Sequence, residues 1–167
     1  MWTQIYWVDG PWPGKLAIAA RPRGGDWLAD EMADWRQAGI DMLLSLLTAD
    51  EAQDLDLQNE ANEAEEHGMA FASFPIPDRH VPRSEAEAAE VLAKLDRDLQ
   101  SGKNVLVHCR QGIGRSGLIA ACLLAGKGLD PETAVAKVSA ARGTTVPETA
   151  EQVRWIDHYA ALATGID

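Results

Sequence analysis

Short apolar runs alternate with helical segments along most of this 167-residue sequence. Strand-length apolar runs occupy residues 15–19, 41–47, 69–74 and 104–108, and a segment with helical patterning follows each of them. Strands that alternate with helices in this way form a mainly parallel sheet covered by helices. The sequence therefore predicts an α/β fold with a central sheet of about four to five strands, in a single domain that spans residues 1–167.

Turn and capping signals predict the boundaries of the elements. In residues 1–25 we expect a hairpin, Ile5–Val8 and Lys15–Ala19, packed against the rest of the domain. Five helices are predicted from capping residues at their starts: Asp26–Ala38, Thr48–His67, Ser84–Gln100, Asp130–Ala141 and Thr149–Leu162. A sixth helix, Arg115–Ala125, is apolar on nearly every side, which predicts that it is buried in the centre of the domain.

Charge and cysteine content exclude several classes of function. The chain has 15 basic and 26 acidic residues, a formal net charge of −11, whereas nucleic acids and anionic membranes require a basic surface. Two cysteines, Cys109 and Cys122, are too few for a disulfide framework. Residues 1–10 lack the features of a signal peptide, and the longest apolar run, Leu118–Ala125, is too short to span a membrane. We therefore expect a cytoplasmic protein that binds neither nucleic acid nor membrane, with a monomer as the default.

The segment from Val105 to Gly117 leaves a predicted strand, passes through a loop with two glycines and enters the buried helix. Amides at a helix N-terminus lack intrahelical partners and the helix dipole is positive there, so such a loop is suited to bind an anion. The two glycines allow a tight turn with the amides facing inward. The predicted phosphate-binding residues are Arg110, Gln111, Gly112, Ile113, Gly114 and Arg115.

Two side chains of this segment suit phosphate chemistry. The guanidinium of Arg115 presents a planar fork of donors that matches two oxygens of a phosphate. Cys109 begins the loop, where the field that attracts an anion also favours a thiolate over a thiol. A thiolate that faces a bound phosphate is a nucleophile directed at phosphorus.

The order His108-Cys109-x5-Arg115-Ser116 on a strand, loop and helix resembles the signature of the cysteine-dependent protein tyrosine phosphatase superfamily. The compact, dual-specificity-like bacterial-type members are the most similar. This resemblance implies their fold and the hydrolysis of phosphomonoesters through a cysteinyl-phosphate, with Cys109 as nucleophile and Arg115 as phosphate ligand. It also implies that Ser116 stabilises the thiolate as a leaving group. No cofactor or metal is expected, because loop amides and Arg115 already neutralise the phosphate oxygens. We call residues 109–115 the signature loop.

A second stretch resembles the loop that carries the general acid in this superfamily. It comprises Phe74–Pro82, which we call the acid loop, and it places Asp78 31 positions before Cys109. An alkoxide or phenoxide leaves poorly unless it is protonated, and a general acid is typically worth ~10²–10⁴-fold in rate. The resemblance implies that Asp78 protonates the leaving oxygen and then deprotonates the hydrolytic water. Its position before Cys109 argues against the low-molecular-weight phosphatases, in which the acid follows the cysteine.

The segment Arg142–Gln152 resembles the third active-site loop of the superfamily, in which a glutamine orients the hydrolytic water. Its register leaves both Glu148 and Gln152 open as the counterpart of that glutamine. Gln152 also fits a simple capping box with Thr149. His108 either orients the signature loop through hydrogen bonds or is a core histidine with satisfied partners.

The substrate is less constrained than the reaction. The resemblance favours phosphotyrosine on proteins, with phosphoserine and phosphothreonine open, so the expected partner is a phosphoprotein or phosphopeptide. The chain lacks an Asn-Arg-Tyr-like segment that would stack on a phosphotyrosine ring, a role left to Trp2, Trp7 or Trp12. The alternatives are a phosphatase for a phosphoinositide or small metabolite, a rhodanese-type sulfur transferase, and a non-catalytic phosphate-binding module.

Overall fold

The structure, a computed structural model, describes residues 3–164. Its strands are β1 (Tyr6–Val8), β2 (Leu16–Ala19), β3 (Met42–Ser45), β4 (Ala70–Ser73) and β5 (Val105–His108). They form one five-stranded sheet in the order β1-β2-β5-β3-β4. The outer strand β1 pairs antiparallel with β2, and all other neighbouring strands are parallel. The predicted α/β fold with a mainly parallel sheet is therefore confirmed.

Helices cover both faces of the sheet. They are α1 (Leu28–Gln37), α2 (Ala49–Asp54), α3 (Glu60–Glu66), α4 (Glu85–Gln100), α5 (Gly114–Gly126), α6 (Pro131–Arg142) and α7 (Ala150–Thr164). On one face, apolar side chains of α1 and α3 pack against alternate residues of the strands. On the other face, α4, α5 and α6 contact the strands, and α7 packs against α5 and α6. Every residue of β2, β3 and β5 is buried, as expected for parallel strands covered on both faces.

The helix α5 is the centre of the larger core. Residues 114–125 of this helix are all buried, which confirms the sequence prediction. It packs against α4, α6 and α7 as well as β2 and β5. Among the described residues, no helix is both long and apolar enough to cross a membrane.

Two predicted helix boundaries are wrong. Asp26 does not cap α1, because it lies inside a short 3-10 turn, Gly25–Trp27, that precedes the helix. The segment after Thr48 forms two helices instead of one. The capping box of Thr48 and Glu51 opens α2 as predicted, but the chain leaves the helix at Asp56, whose φ is +56°.

Candidate active site

Three parallel strands end at the same level, with Ala19 and Ser45 both in register with His108. The carboxyl ends of parallel strands are where α/β proteins bind ligands. The signature loop follows β5 at this edge. The start of the acid loop is held there as well, because Phe74 N donates to Ser45 O at 2.9 Å and Ile76 N donates to Leu46 O at 3.0 Å.

Three consecutive carbonyls of the signature loop are held on its outer side. The backbone amide of Arg21 donates to Arg110 O at 3.2 Å. The side chain of Arg142 donates through Nη2 to Gln111 O at 3.2 Å and through Nε to Gly112 O at 3.0 Å. Arg142 therefore fixes two successive peptide units of the loop.

The amides of the signature loop point away from the side on which its carbonyls are held. A trans peptide unit carries its C=O and N–H on opposite sides, so the amides of residues 111–113 face the concave side of the loop. Gly112 N accordingly lies 3.3 Å from Cys109 Sγ. Gly112 has a φ of +72°, and a Cβ there would lie 2.6 Å from the carbonyl carbon of Ala19, so no other residue fits. Amides that converge beside a cysteine form a site for a single anionic group.

Cys109 begins the signature loop, and Ser116 directly follows this loop in the first turn of α5. Cys109 is buried, with 2% of its surface exposed. Ser116 is fully buried, and its Oγ has no hydrogen-bond partner among the described residues. An unpartnered buried hydroxyl is costly, so its position calls for a function.

Arg115 is buried and held by Glu51 of α2. Arg115 Nη1 donates to Glu51 Oε1 at 2.7 Å and Nη2 donates to Oε2 at 2.9 Å. Nη1 also donates to Ile76 O at 2.8 Å. Burial by itself would lower the pKa of Arg115, but the hydrogen bonds to Glu51 and the charges of Cys109, Glu51 and Asp78 outweigh burial and raise it. The guanidinium is therefore a permanent cation with a fixed plane.

Sequence reasoning did not identify two of the residues that support this loop. Glu51 was predicted only as the third residue of a capping box, which its hydrogen bonds with Thr48 confirm; nothing local indicates its pairing with Arg115. For Arg142 the sequence predicts only a place in the third active-site loop; in the structure its Cζ lies 4.2 Å from the ring centroid of Tyr6 in β1. Both contacts join residues that are distant in the chain.

His108 forms a buried pair with Glu60 of α3. Its Nε2 lies 2.6 Å from Glu60 Oε2, and its Nδ1 lies 3.4 Å from Cys109 O. The ring also packs near Trp35, with the ring centroids 6.0 Å apart. His108 thus links α3 to the start of the signature loop.

The acid loop brings Asp78 to the signature loop. Asp78 Oδ1 lies 3.2 Å from Arg115 Nη2, and the Asp78 side chain is 53% exposed, so it faces the opening of the site. The next residue, Arg79, lies 2.9 Å from Glu148 Oε2 through its Nη1. The predicted acid is therefore beside the predicted phosphate ligand.

Gln152 and Glu148 are close to the site but are held by other groups. Gln152 Oε1 accepts from the amides of Glu148 and Thr149, and its Nε2 donates to His80 O at 3.0 Å. Together with the bond from Gln152 N to Thr149 Oγ1 at 3.1 Å, these contacts form the predicted capping box. A Cβ on Gly114 would lie 2.8 Å from Glu148 Oε1, which places that carboxylate at the start of α5.

The tryptophans considered as ring-stacking residues do not gather at this edge. Trp12 lies at the opposite end of the sheet, where its Nε1 donates to Asp96 of α4 at 2.7 Å. Trp7 lies on the outer strand β1 with the Lys15 ammonium 5.9 Å from its ring. Trp2 lies outside the described residues. The suggestion that Trp12 contacts a phosphotyrosine ring is therefore wrong.

Comparison with known proteins gives a family. The family described as “Swiss Army Knife protein, DSP-PTPase phosphatase domain” (PTP-SAK) matches residues 5–161. Cyclin-dependent kinase inhibitor 3 of Sus scrofa is 28% identical over 126 residues, which cover 74% of this chain and 59% of that protein. The chain thus spans less than two thirds of the length of the first curated relatives that it matches.

Solved structures with the same fold include two phosphatases. Kinase-associated phosphatase, with its catalytic-site cysteine substituted by serine, has a TM-score of 0.87 at 22% identity and covers 97% of this chain and 96% of that chain. Tk-PTP in its active form has a TM-score of 0.77 at 27% identity, with coverage of 96% and 98%. The expected phosphatase-like fold is confirmed.

Proposed function

The chain belongs to the PTP-SAK family of dual-specificity-like protein tyrosine phosphatase domains, and from that premise we propose that it hydrolyses phosphomonoesters on proteins through a cysteinyl-phosphate. The observation that carries this proposal is the meeting of four groups at one edge of the sheet: Cys109, the inward amides of the signature loop, Arg115 and Asp78. A nucleophile, an anion-binding loop and a proton donor are the parts that this reaction requires.

In the first step the substrate phosphate binds to the loop amides and to Arg115. Nη1 of Arg115 directs both of its hydrogens at Glu51 and Ile76, which leaves Nε and one hydrogen of Nη2 for the phosphate oxygens. The thiolate of Cys109 attacks phosphorus in line, and the bond to the leaving oxygen breaks. Asp78 gives its proton to that oxygen, and the phosphoryl group is then on Cys109.

In the second step water attacks the same phosphorus atom. Asp78, now a carboxylate, accepts a proton from this water, the phosphorus–sulfur bond breaks, and phosphate is released. The Ser116 hydroxyl stabilises the leaving thiolate by donating a hydrogen bond to it, a role supported by its buried and unpartnered Oγ. His108, held by Glu60, fixes the start of the signature loop. A water-orienting role for Gln152 or Glu148 stays a prediction.

Phosphotyrosine on a protein is the proposed substrate, with phosphoserine and phosphothreonine as further targets. The family and its dual-specificity-like description support this choice. The alternative is a phosphomonoester that is not a protein, either a phosphoinositide or a small metabolite. The proposed location is the cytoplasm, where a reactive thiol stays reduced.

Turnover of p-nitrophenyl phosphate tests the proposal. Activity should resist EDTA, should be inhibited by vanadate and should vanish in Cys109→Ser. Asp78→Asn should slow turnover and leave phosphate binding largely intact. Activity that survives in Cys109→Ser would overturn the mechanism. An unchanged rate in Asp78→Asn with phenyl phosphate, whose leaving group is more basic, would remove Asp78 from its role.

A substrate panel separates the remaining alternatives. It should contain phosphotyrosine, phosphoserine and phosphothreonine peptides, phosphoinositides and nucleotides. The highest kcat/KM is expected for phosphotyrosine peptides, and a phosphoinositide preference would favour the alternative. Thiosulfate turnover without phosphatase activity would favour a sulfur transferase, and phosphate binding with no turnover of any substrate would favour a binding module.

A further inference from the structure

The acid loop has an unfavourable backbone that other contacts must hold. Arg79, next to Asp78, has a φ of +64°. Left-handed backbone is unfavourable for a residue other than glycine, and it persists only where the surroundings fix it. Inside the loop, His80 N donates to Pro77 O at 3.0 Å and His80 Nδ1 lies 2.7 Å from Asp78 O. These local contacts form a turn but do not attach it to the rest of the domain.

Two contacts attach the acid loop to the first turn of α7 and the residues before it. Arg79 Nη1 lies 2.9 Å from Glu148 Oε2. Gln152 Nε2 donates to His80 O at 3.0 Å. They fix the two residues that directly follow Asp78, one through its side chain and one through its backbone. We call these two contacts the clamp.

The two contacts of the clamp differ in strength. The Arg79 side chain is 63% exposed and that of Glu148 25% exposed, and exposed ion pairs contribute little by themselves. Gln152 is fully buried, and its Oε1 accepts from two backbone amides. Those bonds fix the orientation of its amide group and direct its N–H at His80 O. The Gln152 contact therefore sets the position of the loop, and the ion pair adds to it.

We propose that Glu148 and Gln152 are positioning residues that hold the acid loop over the signature loop, so that Asp78 stays beside Arg115. The inference rests on the proposed role of Asp78 as general acid. It explains how Glu148 is tolerated near a phosphate site, because Arg79 balances its charge. The clamp acts through Asp78 and touches no reacting atom.

A displaced general acid slows a reaction according to how much the leaving group needs a proton. Phenyl phosphate releases a more basic phenolate than p-nitrophenyl phosphate does. A loosened clamp should therefore lower kcat/KM for phenyl phosphate much more than for p-nitrophenyl phosphate.

Two variants loosen the clamp at different points. Gln152→Glu keeps an acceptor for the amides at the start of α7 and removes the donor to His80 O, whereas Glu148→Gln keeps the size of the side chain and removes the charge. In each we expect kcat/KM for phenyl phosphate to fall about tenfold and that for p-nitrophenyl phosphate to fall about twofold or less. Glu151→Gln is the matched control, because Glu151 is exposed in the first turn of α7 and should change neither value.

Further combinations separate the clamp from other causes. Arg79→Glu and Glu148→Arg should each lower kcat/KM for phenyl phosphate relative to kcat/KM for p-nitrophenyl phosphate. The two changes together should restore the wild-type value of this ratio. In an Asp78→Asn background, the clamp variants should have no additional effect. If Gln152→Glu fails to fold by circular dichroism, Glu148→Gln and the reversed pair still decide the question.

The clamp and the proposed function fail in different ways. Equal losses with both substrates, or a further loss in the Asp78→Asn background, would overturn the clamp. None of these outcomes affects the nucleophile. The proposed reaction fails if Cys109→Ser stays active or if the wild type hydrolyses no phosphomonoester.

Discussion

Glu51 is the carboxylate that holds the guanidinium of Arg115, and its replacement by glutamine tests that contact. Glu51 Oε1 accepts from Arg115 Nη1 at 2.7 Å and from Thr48 N at 3.1 Å, and Oε2 accepts from Nη2 at 2.9 Å. In Glu51→Gln the remaining oxygen can serve Thr48 and Nη1, while the new amide group presents donors to Nη2 and to Arg110. The substitution keeps the cap of α2 and removes one charge-assisted bond together with the charge.

The size of the effect follows from burial. The side chain of Arg115 is 2% exposed and that of Glu51 11%. Removing one partner of a buried ion pair costs roughly 3–5 kcal/mol, because it leaves an uncompensated charge. Arg115 keeps Ile76 O at 2.8 Å and Asp78 at 3.2 Å, so we expect the free energy of unfolding to fall by about 3 kcal/mol. For a chain of this length, that loss lowers Tm by about 6–12 °C.

The same pair gives the stability a pH dependence. Burial by itself would raise the pKa of Glu51, but the hydrogen bonds from Arg115 and Thr48 outweigh burial, and the pKa lies below the ordinary value of 4.5. A carboxyl with a lowered pKa in the folded state stabilises the protein above its unfolded pKa, and this contribution is lost as the pH falls through the folded value. The stability difference between wild type and Glu51→Gln should be full at pH 7 and smaller at pH 3.5, below the ordinary value of a glutamate carboxyl.

Urea denaturation at both pH values, followed by circular dichroism, measures these effects. Asp50→Asn is the matched control, because Asp50 is exposed in the same first turn of α2 and loses the same charge. The reasoning is refuted if Glu51→Gln lies within about 1 kcal/mol of the control at pH 7, or if the difference does not shrink in acid.

Three further substitutions test the site and its core. Gly112→Ala should abolish activity, because a Cβ there would lie 2.6 Å from a backbone carbon; Gly128→Ala, also at positive φ but with open space around it, should stay active. Arg142→Met removes the donors to two carbonyls of the signature loop and should raise the Ki of vanadate about tenfold with an unchanged circular dichroism spectrum. Cys122→Ala should keep full activity, and iodoacetate should modify Cys109 and spare Cys122, because burial raises the pKa of the Cys122 thiol. An active Gly112→Ala, wild-type vanadate affinity in Arg142→Met, or inactive Cys122→Ala would contradict the respective argument.

Most of the architecture could be predicted because its signals are local. The apolar spacing after Ser84 predicts a helix that ends at Gln100, and α4 has these bounds. The predicted single helix after Thr48 failed for a reason that is not local. Leu57 is buried in the core between α2 and α3, and Gly25 N donates to Asp56 O at 3.0 Å. The N-terminal loop therefore stabilises the break between α2 and α3, and no glycine or proline near Asp56 predicts this break from the sequence.

The same distinction applies to the candidate site. Cys109, the loop amides and Arg115 are contiguous in the chain, so a strand, loop and helix are sufficient to bring them together. The groups that hold them are distant: Glu51 is 64 positions from Arg115, and Arg142 is 30 positions from Gly112. The capping box with Thr48 is by itself a sufficient reason for a glutamate at position 51. The sequence pattern therefore does not indicate the second contact of Glu51, with Arg115.

The net charge of −11 argues against anionic partners. The arrangement of charges at the site restricts this exclusion to extended polyanions. Arg115 and Arg110 lie 2.7 Å and 3.8 Å from Glu51, and Asp78 lies 3.2 Å from Arg115, so carboxylates already balance these two cations. The attraction for a phosphate dianion must therefore come mainly from the inward amides and the N-terminus of α5, whose field extends only over the first turn. A field of this range attracts one phosphate group but not an extended polyanion, whose other charges meet the acidic surface. Among phosphopeptides, basic or neutral flanking residues should then be favoured over acidic ones, and added salt should weaken that preference because it screens the surface charge before it screens the buried loop.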